Sequence, residues 1–185
     1  MSQKPIVTEP NAVLHEIAKD VSATDFDAPE IRRLIADMKG TLARALDGVG
    51  LAAPQIGISR KVFLVSEEAK YIDAGGPGER DLKKQPWEQY VFINPRLIRN
   101  SRKKIVLAEG CLSVPGKFGE IPRSDKVELS WYDEKKAKHT RGFVGFFARV
   151  IQHELDHLGG TLITKRAKRL VDLKELDTLD RRTSI

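Results

Sequence analysis

The chain is poor in the residues that carry most catalytic and metal chemistry. It has one cysteine, Cys111, and four histidines in 185 residues. A single cysteine excludes a disulfide framework within the chain and fits a reducing compartment. Aromatics make up 6 % of the residues, and no apolar run approaches the length of a membrane span. No apolar segment follows Met1-Ser-Gln-Lys-Pro5, so the expectation is a cytoplasmic protein, or the mature form of an organelle protein. Neither G-x-x-x-x-G-K-S/T nor G-x-G-x-x-G occurs, which removes the common phosphate-cradling loops. Repeats, low-complexity tracts and an interdomain linker are also missing, so residues 1–185 read as one domain.

What is present is an ordinary globular balance, with 41 % hydrophobic and 31 % charged residues. The net charge of +6 is a moderately basic surface. It permits contact with a polyanion, but no basic motif interleaved with aromatics points to sequence-specific nucleic-acid binding.

Two of the four histidines sit together in His153-Glu-Leu-Asp-His157, an H-E-x-x-H pattern. Residues four apart share one face of a helix, so both imidazoles can meet one ion, with Glu154 beside it as a general base. Phe143, Phe146, Phe147, Val150, Ile151 and Leu158 supply the apolar stripe of that helix, and Gly159-Gly160 stops it. Two imidazoles leave room for a third ligand, and Cys111 is the only thiol.

Earlier in the chain, Asp27 as N-cap, Pro29 and Glu30 begin a helix. Ile31, Leu34, Ile35, Met38, Leu42 and Leu46 continue it at helical spacing. Strands are expected over Lys61–Val65, Tyr90–Asn94 (ended by Pro95), Lys104–Ala108, Lys126–Tyr132, Ala137–Arg141 and Thr161–Ile163. Residues 66–89 read as a long surface loop, Arg166 to about Leu179 as a terminal helix, and 180–185 as a loose tail.

Three separated stretches, Gly48-Val-Gly-Leu-Ala-Ala-Pro-Gln55, Glu109-Gly-Cys-Leu-Ser113 and Gln152-His-Glu-Leu-Asp-His157, resemble in order the three signature motifs of peptide deformylases. The resemblance covers roughly Pro10 to Leu162. It implies an α+β metallohydrolase, with mixed or antiparallel sheets around a central helix carrying the H-E-x-x-H pair and a C-terminal helix. It implies removal of the formyl group from the formylmethionine that begins new polypeptides. By motif match, Cys111, His153 and His157 hold one divalent metal, Fe²⁺ natively, with Zn²⁺, Ni²⁺ or Co²⁺ able to replace it. Glu154 is then the general acid/base, while Gln55 and the Leu112 N–H meet the oxyanion. Val49, Gly50, Glu109, Phe146, Arg149 and Val150 are expected around the substrate. Arg149, four residues before His153, either polarises the methionine pocket or pairs with Glu109 as a support. Lys117-Phe-Gly-Glu-Ile121 departs from the Arg-containing segment that some members carry there. Lys165, Arg166, Lys168 and Arg169 form a basic cluster that is either solvated or touches the ribosome. Two competing readings are a metallopeptidase using the same Glu154 and an inactive metal-stabilised binding module.

Overall fold

The computed structural model describes residues 4–45, 48–72 and 86–172. Its centre is a five-stranded antiparallel sheet with helices on both faces. Strands β1 (Gly50–Ala52), β2 (Val62–Ser66), β3 (Gln89–Asn100), β6 (Lys126–Tyr132) and β7 (Lys138–Val144) lie in the order β1-β2-β3-β6-β7. Every residue of β2 is buried, as the unbroken apolar run Val62-Phe-Leu-Val65 requires of a strand covered twice. Val62 and Leu64 face α1 (Pro29–Leu42), which buries Ile31, Leu34, Ile35, Met38 and Leu42 against them. Phe63 and Val65 point the other way, towards α2 (Gly145–Leu158), and meet Phe147, Ala148, Val150, Ile151 and Leu158. Ile151 is fully buried, so cutting it to alanine should cost about 2–5 kcal/mol.

A second antiparallel sheet holds β4 (Lys104–Cys111), β5 (Val114–Ser124) and β8 (Leu170–Asp172) in the order β4-β5-β8. Its core is a third, smaller cluster of Leu14, Val114, Ile121, Leu162 and Ile163. The expected α+β class with antiparallel sheets is therefore the observed one.

Several local expectations are corrected. Asp27 lies in a 3₁₀ turn and Ala28 is the cap of α1, with Pro29 starting the helix. Pro95 does not end β3. Asn94 takes φ 49° and the register shifts between Ile93 and Arg96, so the missing proline N–H falls in an irregularity of the ladder. The Asn94 side chain fixes this kink by bonding the backbone N–H and C=O of Val21 at 2.8 and 2.7 Å. β5 escapes sequence reading because it contains two prolines and two glycines. Among the described residues β8 pairs with Lys117–Gly119, so Pro115 and Pro122 lie outside that pairing.

Thr161–Ile163 is not a strand, for Ile163–Arg166 forms the one-turn helix α3. Leu170, expected in a terminal helix, starts β8, where Val171 is buried against β5. The rest of that expected helix and the 180–185 tail lie outside the described residues, as do Leu46 and the centre of the 66–89 loop. The loop's first residues, Glu67–Lys70, form a 3₁₀ turn capped by the Ser66 side chain.

Gly160 closes the turn after α2 at φ +68°, and a Cβ there would lie 2.6 Å from the His15 carbonyl oxygen. Both the left-handed conformation and the contact exclude a side chain. Gly160→Ala should lower stability by roughly 1–3 kcal/mol, read as a shifted midpoint in urea denaturation.

Candidate metal centre

The site forms where the C-terminal end of β4 meets α2. His153 and His157 stand one helical turn apart, with ring centroids 5.0 Å apart at 69°. β4 delivers Cys111 after a register shift between Gly110 and Cys111, and the Sγ lies 3.3 Å from His157 Nε2. One donor atom from each of Cys111, His153 and His157 falls within 4.8 Å of the others. Among the described residues, these three form the group able to hold an ion. Asp156 does not join them. Its carboxylate faces Arg123 at 2.5 Å and Arg166 at 2.8 Å.

This donor set fits a divalent ion. Burial, followed by the charges of His153 and Arg123, holds His157 well below the usual imidazole range, so it is neutral and keeps a lone pair. Burial also pulls His153 down, but hydrogen bonds to Cys111 and Glu109 outweigh it and raise the ring to about 10. The surroundings therefore favour positive charge at this point, which a metal ion supplies in place of a proton. A thiolate with two imidazoles suits Fe²⁺, Zn²⁺, Ni²⁺ or Co²⁺ better than Mg²⁺ or Ca²⁺.

Glu109 organises the surroundings. It precedes Cys111 by two residues, so both side chains leave the same face of β4. Its Oε2 accepts from His153 Nδ1 at 3.0 Å, which turns the other ring nitrogen towards the site. Arg123 grips the same carboxylate with Nε and Nη2, each at 2.9 Å. Arg149 Nη1 adds a third hold at 2.6 Å and donates to the Ile121 carbonyl, while its Nη2 donates to that of Ile105. Glu109 and Arg149, expected at the edge of the substrate, are thus a buried pair behind the histidine. Arg149 also borders a small cavity with Leu107 and Phe146, but its cationic end is committed to Glu109.

The remaining expected residues gather around this core. Glu154 is buried, and one carboxylate oxygen, Oε2, has no hydrogen-bond partner among the described residues. Burial raises its pKa to about 7 despite the opposing charges of His153 and Arg123. Gly50 admits this carboxylate, since a Cβ there would lie 2.4 Å from Glu154 Oε1. Gln55 sits on a 3₁₀ turn, its Oε1 accepting from the Ala52 N–H at 2.8 Å. That bond fixes the amide orientation and aims Nε2 at Ser113 Oγ, 3.3 Å away, and at Cys111 Sγ, 3.9 Å away. Val49, Phe146 and Val150 share one apolar cluster beside the helix. Leu112 follows Cys111, and its side chain packs over Gly48.

Sequence reasoning missed Arg123, and Gln152 stands in the third motif without an assigned role. Gln152 pairs with both backbone groups of Ser124, tying α2 to β5 at 3.0 and 2.9 Å. Arg123 was hidden with its strand. The alternation Gly119, Ile121, Arg123 on the buried face of β5 is the signal that could have found it.

Residues 3–172 match the family described as "Polypeptide deformylase". A peptide deformylase of Leptospira biflexa is 36 % identical over 168 residues, covering 91 % of this chain and 89 % of that protein. Among solved structures, the class I type b peptide deformylase of Acinetobacter baumannii, bound to Met-Ala-Ser, superposes with a TM-score of 0.76 at 32 % identity. That match covers 89 % of this chain and 98 % of the other. The peptide deformylase of Thermotoga maritima superposes with a TM-score of 0.74 at 32 % identity, covering 91 % of this chain and all of its own (100 %).

Glu109→Gln leaves Arg123 and Arg149 buried against half a partner and should cost about 3–5 kcal/mol in denaturant unfolding. Burial pushes Glu109 up, but Arg123 and His153 outweigh it and hold the carboxyl at about 2, below its ordinary 4.5. The stabilisation is therefore complete above about pH 4.5 and is lost as pH falls towards about 2. The variant's stability should be flatter than the wild type's across that window.

Proposed function

The chain belongs to the polypeptide deformylase family, whose members hydrolyse the N-formyl group from N-terminal formylmethionine, and we propose that Cys111, His153, His157 and Glu154 carry that reaction here. The observation that supports this most directly is a thiol and two imidazoles within reach of one ion, with a buried carboxylate on the same helix. Cys111, His153 and His157 would hold the metal, with Fe²⁺ as the native ion. When bound, such an ion polarises a carbonyl and lowers the pKa of a bound water towards about 7.

The protein's own groups supply the rest. Glu154, poised at about 7, takes a proton from the attacking water and returns it to the departing amine. Its buried site keeps bulk water from competing for that proton. Gln55 Nε2 and the Leu112 N–H donate to the oxygen that gains negative charge as the formyl carbon becomes tetrahedral. Because Ala52 already holds the Gln55 carbonyl oxygen, the amide meets that charge without reorienting. Gly50 lets the Glu154 carboxylate approach, and its backbone lies at the edge of the sheet, where a peptide can align.

Val49, Phe146 and Val150 form the wall for the methionine side chain. Glu109 and Arg149 act through His153 rather than by touching substrate. The Acinetobacter baumannii relative holds Met-Ala-Ser, a peptide led by methionine, which supports a methionine-led substrate here. The substrates are formylated nascent peptides. Lys165, Lys168 and Arg169 would offer a transient ribosome contact beside Arg166, which pairs with Asp156. No helix of the described residues is long and apolar enough to cross a membrane. We place the reaction in the cytoplasm.

Protein purified without oxygen should contain about one iron per chain and release formate from a formylmethionyl peptide, leaving the unformylated twin uncut. Backbone cleavage of the twin would instead mark a peptidase. Glu154→Gln should retain the metal while kcat falls by at least about 10²-fold. Gln55→Ala should cost about 10²–10³ in kcat, with metal content unchanged. A Lys165→Glu, Lys168→Glu double variant should pellet less with ribosomes at low salt and deformylate free peptides at the wild-type rate.

A further inference from the structure

A second cavity, of about 370 Å³, opens at the N-terminal end of α2 and shares Gly145 and Phe146 with the small cavity beside Arg149. His153 lies seven residues further along the helix, roughly 10 Å away at 1.5 Å per residue. The metal ligands and Glu154 take no part in its walls.

The walls are aromatic and braced against one another. Phe143 stacks on Phe147 at 5.3 Å, Trp131 leans on Phe143 at 5.6 Å, and Tyr90 meets Phe147 edge-on at 5.9 Å. Ring pairs of this kind add about 0.5–1.5 kcal/mol each beyond area burial and brace the walls. Packing defects in folded proteins rarely exceed the size of a water molecule, whereas this space falls in the range of small-molecule sites.

The polar groups at the cavity are selective in sign. Lys70 and Arg141 line it, and no Asp or Glu does among the described residues. Lys70 reaches the Tyr90 hydroxyl at 2.5 Å and Glu67 at 3.2 Å, and its ammonium lies 4.3 Å from the centre of the Tyr90 ring. Arg141 is exposed on β7, with its guanidinium 5.8 Å from the Phe143 ring centroid. A small polar anion would use the cations but leave the aromatic walls without contact. A neutral hydrocarbon would fill the walls and leave Arg141 without an ion pair among the described residues, whereas Lys70 already has Glu67.

We propose that this cavity binds an amphiphilic carboxylate, an aryl or medium-chain acyl acid, with its apolar body between Trp131, Phe143 and Phe147 and its carboxylate on Arg141 and Lys70. Charge-assisted hydrogen bonds from Arg141 give the site its preference for acids. It shares Phe146 with the methionine wall but none of the metal ligands or Glu154, so its occupancy can be read without turnover.

Titration calorimetry on the metal-loaded protein, with decanoate, decanol and inorganic phosphate as probes, tests this. Decanoate should bind at one site per chain, at least tenfold tighter than decanol, and phosphate should not bind. Arg141→Glu should weaken decanoate at least tenfold and leave decanol unchanged, and Arg141→Lys should recover most of the loss. Equal decanoate affinity in wild type and Arg141→Glu would overturn the proposal, because an acid held at the metal centre would not sense residue 141. Absence of decanoate binding at millimolar concentration, or equal affinity for decanol, would overturn it as well.

Discussion

The structure depends on one carboxylate taken out of water. Glu109 is buried with its oxygens shared among Arg123, Arg149 and His153. A lone buried carboxylate would be far too costly, and it persists because each oxygen meets more than one cationic or imidazole donor. The same group reaches β5 through Arg123 and α2 through Arg149 and His153, so it joins the second sheet to the helix as well as orienting a proposed metal ligand. Asp156 continues the chain of charges to Arg166 in α3 at the surface. The orientation of His153 is thereby tied to elements that sequence separates by dozens of residues.

The helix α2 meets two demands at once. One stripe, Phe147, Ala148, Ile151 and Leu158, seals a face of the five-stranded sheet. Another presents His153, Glu154 and His157 to β4 and the Gln55 turn. A buried helix sets two imidazoles one turn apart, which is why both proposed ligands and the proposed base can come from five consecutive residues. The cost is local desolvation, visible in the raised Glu154 and the lowered His157. That cost becomes useful when the reaction needs a base near neutrality and a ligand with a free lone pair.

The glycine- and alanine-rich turn before Gln55 illustrates a different constraint. Its small residues serve close approach, since Gly50 must leave room for the Glu154 oxygen and Gly48 for Leu112. β2 fixes this turn to the sheet by pairing Gly50 with Val65. The proposed oxyanion donor Gln55 therefore follows directly on a strand paired with the fully buried β2.

Sequence by itself determined the elements whose signals are local. The 3.6 periodicity marked α1 and α2, the two-residue alternation marked β6 at its observed bounds, and the four-residue spacing of His153 and His157 put them on one face. Residue types nominated Cys111 and Glu154, because few residues can do that chemistry, and the resemblance of the motifs added Gln55. Tertiary structure decided what depended on distant partners. The left-handed Asn94, held by Val21, carried β3 through Pro95. Pairing with β4 made a strand of the proline-rich β5, and pairing with β5 made a strand at Leu170, where spacing suggested a helix. Arg149 was ambiguous in the sequence because its role depends on where Glu109, forty residues earlier, comes to lie. A buried charge is assigned by its neighbours in space, and a linear pattern carries no record of them.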